Sequence, residues 1–349
     1  MNLDFSDDQK FLQDEARKFL TKEQALLRNR TVLEKNNKVD KDLWEKIVAL
    51  GWTGIRIPEE YNGLDLGHLE LCVIAEELGR FLAPVPFSSS VYLFTEAIIN
   101  YADDEIKSHF LPKLVSGEII GTIAVTEDLK APSENNILVT ENNGIINGKK
   151  IAVPDAEIST HSIVVCKCES GISLQLVDLS SPGVTIEQQE TIDDSRGHFL
   201  INFENVKSNL IGDKGNGWKS YETLINQAAV FFSYEQIGGS QATLDMAINY
   251  AKERYAFGRP IGSYQAIKHK LADMYIALTL AKSNCYYAAW ALSTNSSDFP
   301  SASATARVSA TKAYQLCSQE NIQTHGGNGF TWEYDCHMFY RRSKLLSLN

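Results

Sequence analysis

The stretch Arg254-Tyr-Ala-Phe257-Gly258-Arg-Pro-Ile-Gly-Ser-Tyr-Gln265 is the part of the chain that decides the fold. Apolar residues at helical spacing precede Arg254, so the pattern predicts a bundle helix that ends at this arginine. A proline then turns the chain, and Gln265 opens the next predicted helix. A cation and an amide therefore meet at one corner. Such a corner suits a diphosphate, because a guanidinium pairs with phosphate oxygens in fork geometry.

A second cluster, Gln323-Thr-His-Gly326-Gly327-Asn-Gly329-Phe330, follows the last long predicted helix. Its glycines let a backbone approach a ligand closely and expose N–H groups, while Gln323 offers an amide donor. Alone, such a loop is more often a helix C-cap. The presence of both clusters in one chain is what favours a bound diphosphate.

The amino-acid composition is that of an ordinary globular protein. The chain has 349 residues, of which 44% are apolar and 22% charged, so it is long enough for two or three domains. The formal charge of -11 argues against a nucleic-acid or anionic-membrane partner. No stretch of about eighteen apolar residues occurs, and the N-terminus has no basic region followed by an apolar run. We therefore expect a cytoplasmic protein.

The cysteines and histidines predict no metal site and no disulfide framework. Cys166 and Cys168 form the only close cysteine pair among six, and in a strand they share one face. Without a second pair this is a poor start for a zinc site, so packing is the prediction. The histidines show no metal-ligand spacing such as His-x-x-x-His.

Patterning along the chain predicts an α+β protein. Residues 1–118 are expected to be all-helical, beginning with a capping box at Ser6 and Gln9. A β domain is expected over residues 119–210, where β-branched runs alternate with Asn-Gly turns. A helical bundle follows over residues 211–349. The predicted strands include Ile123–Val125, Ile137–Thr140, Ser162–Val165 and Leu174–Val177, and the long helices run from about Trp218 to Arg254, Tyr264 to Ser293 and Ala302 to Thr324.

The motifs and their order resemble the acyl-CoA dehydrogenase family over nearly the whole chain. The resemblance implies a helical N-terminal domain, a middle β domain and a C-terminal four-helix bundle. It also implies an FAD whose adenosine diphosphate part is held across a subunit interface, with the flavin ring in the neighbouring subunit. The implied contacts are Arg254, Gln265, Gln323, Gly326 and Gly327, with Phe257 packed beside them.

The β domain departs from the family pattern. A typical member has Thr-Glu-Pro, a Gly-Ser-Asp loop and a Trp-Ile-Thr segment around the flavin ring. This chain has Thr126-Glu127-Asp128 without Gly-Ser-Asp, and Ile145-Ile-Asn147 in place of the aromatic segment. Thr126 is either a retained flavin contact or a plain strand residue.

The family's catalytic glutamate has no obvious counterpart. The resemblance implies proton abstraction at Cα with hydride transfer from Cβ to flavin N5. In one family layout the glutamate would fall just past Asn349, and in the other it would fall at Ala228. Glu235 lies seven residues further along the same predicted helix, roughly 10 Å away. It is either the catalytic base or a buried structural residue.

Three further residues near the glycine cluster carry weaker expectations. Glu333 and Asp335 are expected to be solvated or capping residues. His325 is expected to orient the loop rather than to titrate usefully.

The first functional prediction is an FAD-dependent acyl-CoA dehydrogenase that acts as the shorter subunit of a heteromer. There a partner subunit supplies the base, and electron-transfer flavoprotein accepts the electrons. One alternative is an autonomous homo-oligomer that uses Glu235. Another is a non-catalytic flavin-binding scaffold on a decayed dehydrogenase fold, and a third is a flavin monooxygenase on the same scaffold.

Overall fold

The computed structural model describes residues 5–348, which form two compact units. One unit contains residues 5–31, 68–83 and 229–348, and the other contains residues 32–67 and 84–228. The first four residues, on which the N-terminal part of the localisation prediction rests, lie outside the described residues.

Helices account for the regular structure before residue 118, as predicted. Asp40 and Asp103 cap two of these helices, and Ser6 and Gln9 form the expected capping box at the first. The helices are α1 (Asp7–Lys22), α2 (Ala25–Glu34), α3 (Lys41–Ala49), α4 (His68–Arg80), α5 (Glu96–Tyr101) and α6 (Asp104–Val115).

A buried π-helix, Ser88–Thr95, precedes α5 and was not predicted. Its serines bond to the β domain: Ser89 donates to the Asp155 carboxylate over 2.6 Å, and Ser90 accepts from the Gly121 N–H over 3.2 Å. These contacts satisfy polar groups at the first residue of the sheet, Gly121, and at Asp155, just past the end of the strand Ile145–Pro154.

The β domain is one eight-stranded sheet with the order β6-β7-β3-β2-β4-β5-β8, and β1 pairs with β4. The β1/β4 and β2/β4 pairs are parallel, and the other pairs are antiparallel. Alternate side chains form an apolar core that includes Val164, Phe199 and Phe203. The strands are β1 (Gly121–Ala124), β2 (Thr140–Asn142), β3 (Ile145–Pro154), β4 (His161–Cys168), β5 (Gly171–Asp178), β6 (Val184–Gln189), β7 (His198–Lys207) and β8 (Asn209–Ile211).

The predicted strand Ile137–Thr140 is wrong for all but its last residue. The Glu127 carboxylate accepts from the Leu138 N–H over 2.6 Å and from the Val139 N–H over 3.0 Å. Because a side chain satisfies these donors, the apolar segment is ordered without belonging to a strand.

The C-terminal helices are α7 (Gly217–Glu253), α8 (Gln265–Ser293), α9 (Phe299–His325) and α10 (Cys336–Leu346). The three predicted C-terminal helices match the bounds of α7, α8 and α9 to within three residues, and a fourth helix, α10, had no predicted bounds. The predicted α+β class, with helices, then a sheet, then a four-helix C-terminal region, is confirmed. The domain boundaries at residues 118 and 210 stay a prediction.

Several expectations can be compared directly with the described residues. All six cysteines are buried, and the burial of Cys166 and Cys168 agrees with the packing predicted for that pair. Within residues 5–348, no group of histidine, cysteine and acidic side chains could hold a metal ion. Over the same part of the chain, the helices are too short or too polar to cross a bilayer.

Candidate functional site

A β-hairpin with two residues in each strand follows α7 and carries the first motif. The Arg254 N–H continues the helix by donating to Tyr250 O over 2.8 Å, and the Ile261 N–H returns to Arg254 O over 2.8 Å. Between them, Tyr255–Ala256 (β9) pairs with Arg259–Pro260 (β10). The hairpin therefore brings Gln265, the first residue of α8, back toward the end of α7.

Phe257 and Gly258 form the hairpin tip, with φ values of 52° and 77°. Positive φ at both central residues is the geometry of a type I′ turn. A positive φ costs little for Gly258 but is unusual for a bulky residue such as Phe257. Phe257 is also 97% exposed. The hairpin tip therefore combines an unusual backbone conformation with an aromatic side chain that this chain leaves uncovered.

The glycine cluster presents bare backbone to its surroundings. Helix α9 ends at His325, and Gly326 follows with φ of 62°. A Cβ added at Gly326 or Gly327 would meet nothing within 4 Å. The side chains of Gln323, Arg254 and Gln265 are also exposed. The donors that a diphosphate needs are thus accessible, so the residues fit the FAD part that the resemblance assigns to them.

Tyr250 joins the two motifs. Its ring stacks on His325 with centroids 4.1 Å apart, and the Asn328 amide donates to its hydroxyl over 3.1 Å. Since Tyr250 precedes Arg254 by one helical turn, the end of α7 and the glycine cluster meet here. Sequence reasoning missed Tyr250 and Asn328. The available signal was the helical spacing between Tyr250 and Arg254.

His325 holds its place through a backbone contact. Its Nδ1 lies 2.8 Å from Asn321 O, so the neutral ring donates there. Burial lowers the pKa of His325 below its ordinary value of 6.5. These contacts support the predicted loop-orienting role.

Thr126 lies in a segment fixed by a buried ion pair. The Lys150 Nζ donates to Val125 O over 2.8 Å and to Glu127 Oε1 over 2.6 Å, so its contacts bracket Thr126. Thr126 O accepts from the Ile151 N–H over 2.8 Å. Burial lowers the pKa of Lys150, and the Glu127 carboxylate opposes that shift. The backbone of Thr126 is therefore fixed, while its role toward flavin stays a prediction.

Glu235 lies at a close crossing of α4 and α7. A Cβ at Gly79 would come within 2.0 Å of Glu235 O, so the two helix backbones touch. The Glu235 side chain is 2% exposed. Burial lowers the pKa of Arg307 to about 10, and the negative charge of Glu235 opposes that shift. Glu235 thus lies in the buried interior at the helix crossing, where its charge acts on Arg307, and its role as a base stays a prediction.

The other positions considered for the catalytic base have different surroundings in the structure. Ala228 is fully buried and Glu333 is exposed. Asp335 forms an ion pair with Arg30. None of these three positions presents a carboxylate in a pocket suited to proton abstraction.

Comparison with known proteins identifies the family. Residues 6–118 match the model of the acyl-CoA dehydrogenase N-terminal domain, and residues 215–348 match that of the C-terminal domain. A mitochondrial 2-methylacyl-CoA dehydrogenase from Solanum tuberosum is 30% identical over 339 residues, covering 90% of this chain and 81% of the relative. The chain belongs to the acyl-CoA dehydrogenase family.

Solved acyl-CoA dehydrogenases share the fold along the full length. Butyryl-CoA dehydrogenase from Megasphaera elsdenii superposes with a TM-score of 0.93 at 25% identity, covering 99% of this chain and 95% of the other. A variant of the Tcur3481-Tcur3483 steroid ACAD superposes with a TM-score of 0.87 at 27% identity, covering 97% of this chain and 92% of the other.

Acyl-CoA dehydrogenases are FAD-binding oxidoreductases that act on CH–CH bonds, and this chain is a member of that class.

Proposed function

We propose that this acyl-CoA dehydrogenase chain is one subunit of a heteromer and completes an FAD site that it shares with its partner. The adenosine diphosphate part lies against Arg254, Gln265, Gln323 and the Gly326-Gly327 backbone. The flavin ring lies in the partner subunit. Phe257 packs beside the cofactor at the subunit boundary.

The exposed corner at the end of α7 is the observation that carries this proposal. Arg254, Gln265 and Gln323 make the donors of a diphosphate site, yet they are exposed in the single chain. The Gly326-Gly327 backbone is equally open. A ligand site of this kind gains affinity when a second body covers it, because water is then excluded from its charged hydrogen bonds.

An apolar face on α8 supports the presence of a second subunit. Tyr275, Ile276 and Leu280 are 62%, 54% and 62% exposed. Ile276 and Leu280 are one turn apart and therefore share a face of the helix. Contiguous exposed apolar side chains mark interaction surfaces. This face lies on the helix that begins with Gln265, so one partner can cover both.

The partner also supplies the catalytic base in this proposal. In the dehydrogenation of an acyl-CoA thioester, a carboxylate would take the Cα proton as the Cα=Cβ double bond forms. FAD, when bound, would supply the acceptor for the Cβ hydride. Ala228 cannot accept a proton, and the buried Glu235 has a structural role in this proposal. Electron-transfer flavoprotein as acceptor and the cytoplasm as compartment belong to the same proposal.

The test is purification of this chain alone and together with a dehydrogenase-like partner chain. FAD per subunit is read from visible absorbance, and acyl-CoA is added to bleach it. We expect flavin to be retained, and to be reduced, only in the complex. Flavin that is bound and bleached in the lone chain would instead support an autonomous enzyme. Flavin that is never reduced in any combination would support the scaffold alternative.

Two variants and one matched control sharpen this test. Arg254→Ala should weaken FAD binding by roughly 10- to 100-fold, since it removes a charge-assisted hydrogen bond. Lys252→Ala removes an exposed cation from the same helix end and serves as the matched control. Glu235→Gln should leave the rate of flavin reduction in the complex unchanged. Abolished reduction in a variant complex that keeps the wild-type melting temperature and FAD content would identify Glu235 as the base.

A further inference from the structure

The glycine cluster is held on one side only. On its inner side, the Asn328 amide nitrogen lies 3.1 Å from the Tyr250 hydroxyl and 3.5 Å from the Tyr334 hydroxyl. The ring of Tyr334 packs edge-on against both Tyr250 and His325. Tyr250, His325 and Tyr334 therefore pack against one another, and the Asn328 amide reaches the hydroxyls of the two tyrosines.

The backbone of the cluster is packed on that same inner side. A Cβ at Gly329 would lie 2.5 Å from Ile322 O, so the loop rests directly on the last turn of α9. Gly326 and Gly327, in contrast, have nothing within 4 Å of an added Cβ. One side of the loop is fixed by contacts, and the other side is left open.

This asymmetry has a physical consequence for binding. A glycine-rich loop has many accessible backbone conformations, and a ligand that orders it loses affinity to that ordering. A loop that is held in its binding conformation beforehand avoids this cost. The Asn328–Tyr250 hydrogen bond is the side-chain contact that ties the middle of the loop to α7.

We propose that Tyr250 and Asn328 are positioning residues that hold the Gly326-Gly327 backbone open toward the diphosphate of FAD. This inference rests on the proposed function, because it takes that loop to be the FAD contact. Neither residue touches the cofactor in this proposal. Tyr250 acts through Asn328, and Asn328 acts through the loop backbone.

The test is a double-mutant cycle in the complex with the partner chain. FAD is titrated into apo-complex carrying Tyr250→Phe, Asn328→Ala or both, and the dissociation constant is read from flavin fluorescence. Each single variant should raise the constant about 3- to 10-fold, the effect of one hydrogen bond. The Asn328–Tyr250 bond is lost in all three variants, and Asn328→Ala also loses the contact with Tyr334, so the double variant should bind FAD no more weakly than Asn328→Ala alone.

Tyr287→Phe is the matched control. It removes a tyrosine hydroxyl that donates to Asp298 over 3.2 Å near the other end of α8. It should leave the FAD dissociation constant unchanged. Melting temperatures of the apo-complexes are measured in parallel. If the two residues were merely structural, the variants would lower the melting temperature, and their effects on the FAD dissociation constant would be additive.

The outcomes separate this inference from the proposed function. A wild-type complex that never binds FAD overturns the proposed function. A wild-type complex that binds FAD, with variants that bind equally well or additively, overturns only the positioning role. Tyr250→Phe keeps the ring that stacks on His325, so at least one variant retains the aromatic packing.

Discussion

Lys150 and Glu127 form a buried ion pair with 2.6 Å between Nζ and Oε1, and the two side chains are 0% and 7% exposed. Glu127 also accepts two backbone N–H groups, while Lys150 donates to a backbone carbonyl. The pair thus fixes the segment that contains Thr126. Pairing and hydrogen bonding offset the cost of taking two charges out of water.

Lys150→Met should destabilise the β domain by about 3–5 kcal/mol, because it leaves the buried Glu127 carboxylate without its cation. The free energy of unfolding in urea measures this. Lys149→Met changes the adjacent exposed lysine and should cost little. Equal losses in the two variants would show that the ion pair is not a source of stability.

Gly327→Ala should reduce FAD binding without reducing stability. The new methyl group has open space in the single chain, so the melting temperature of the apoprotein should stay within about 2 °C of wild type. The methyl group would occupy the surface where the proposed diphosphate lies, so the FAD dissociation constant should rise about tenfold or more. Unchanged FAD affinity would remove this loop from the site.

Gly238→Ala should be strongly destabilising, in contrast with Gly327→Ala. Its Cβ would lie 1.9 Å from Glu76 O, at the crossing of α4 and α7. The helices must move apart, at a cost of about 1–3 kcal/mol or more. Thermal unfolding of the purified chain measures the loss. A neutral effect would mean that the two backbones do not touch there.

Stability should fall as the pH decreases below about 6.5. Burial lowers the pKa of His325, so as the pH falls the unfolded chain takes up a proton before the folded chain does. His325→Phe removes this titration while keeping a ring against Tyr250. Between pH 7 and 5.5 we expect the His325→Phe variant to lose less free energy of unfolding than the wild type. The difference in slope should be at most about 1.4 kcal/mol per pH unit. Urea midpoints across that range check it, and an unchanged pH slope would contradict it.

Sequence patterns were sufficient where the determining interactions are local. Capping at Ser6, helical spacing through Arg254 and the chain turn at Pro260 act over a few residues, so the helices, the sheet region and the corner between α7 and α8 were predictable. The failed strand at Ile137 has the opposite cause. Its N–H donors are satisfied by a carboxylate eleven and twelve residues earlier, which no local pattern reveals.

Parts of the candidate site were missed for the same reason. The Asn328–Tyr250 bond joins residues 78 positions apart, and the Lys150–Glu127 pair joins residues 23 positions apart. Pairings at such separations depend on the tertiary fold. Periodicity could place Tyr250 on the same helix face as Arg254, but it could not show what that face contacts.

The uncovered hairpin tip has a consequence for how the protein is made. Phe257 and the α8 face place apolar surface in water, which costs about 25 cal/mol per Å² until it is covered. In the proposed heteromer, chains synthesised in excess of the partner would therefore meet one another, or a chaperone, before they meet that partner. Under that proposal, balanced expression of the two chains, rather than greater stability of this chain, would set the yield of soluble complex.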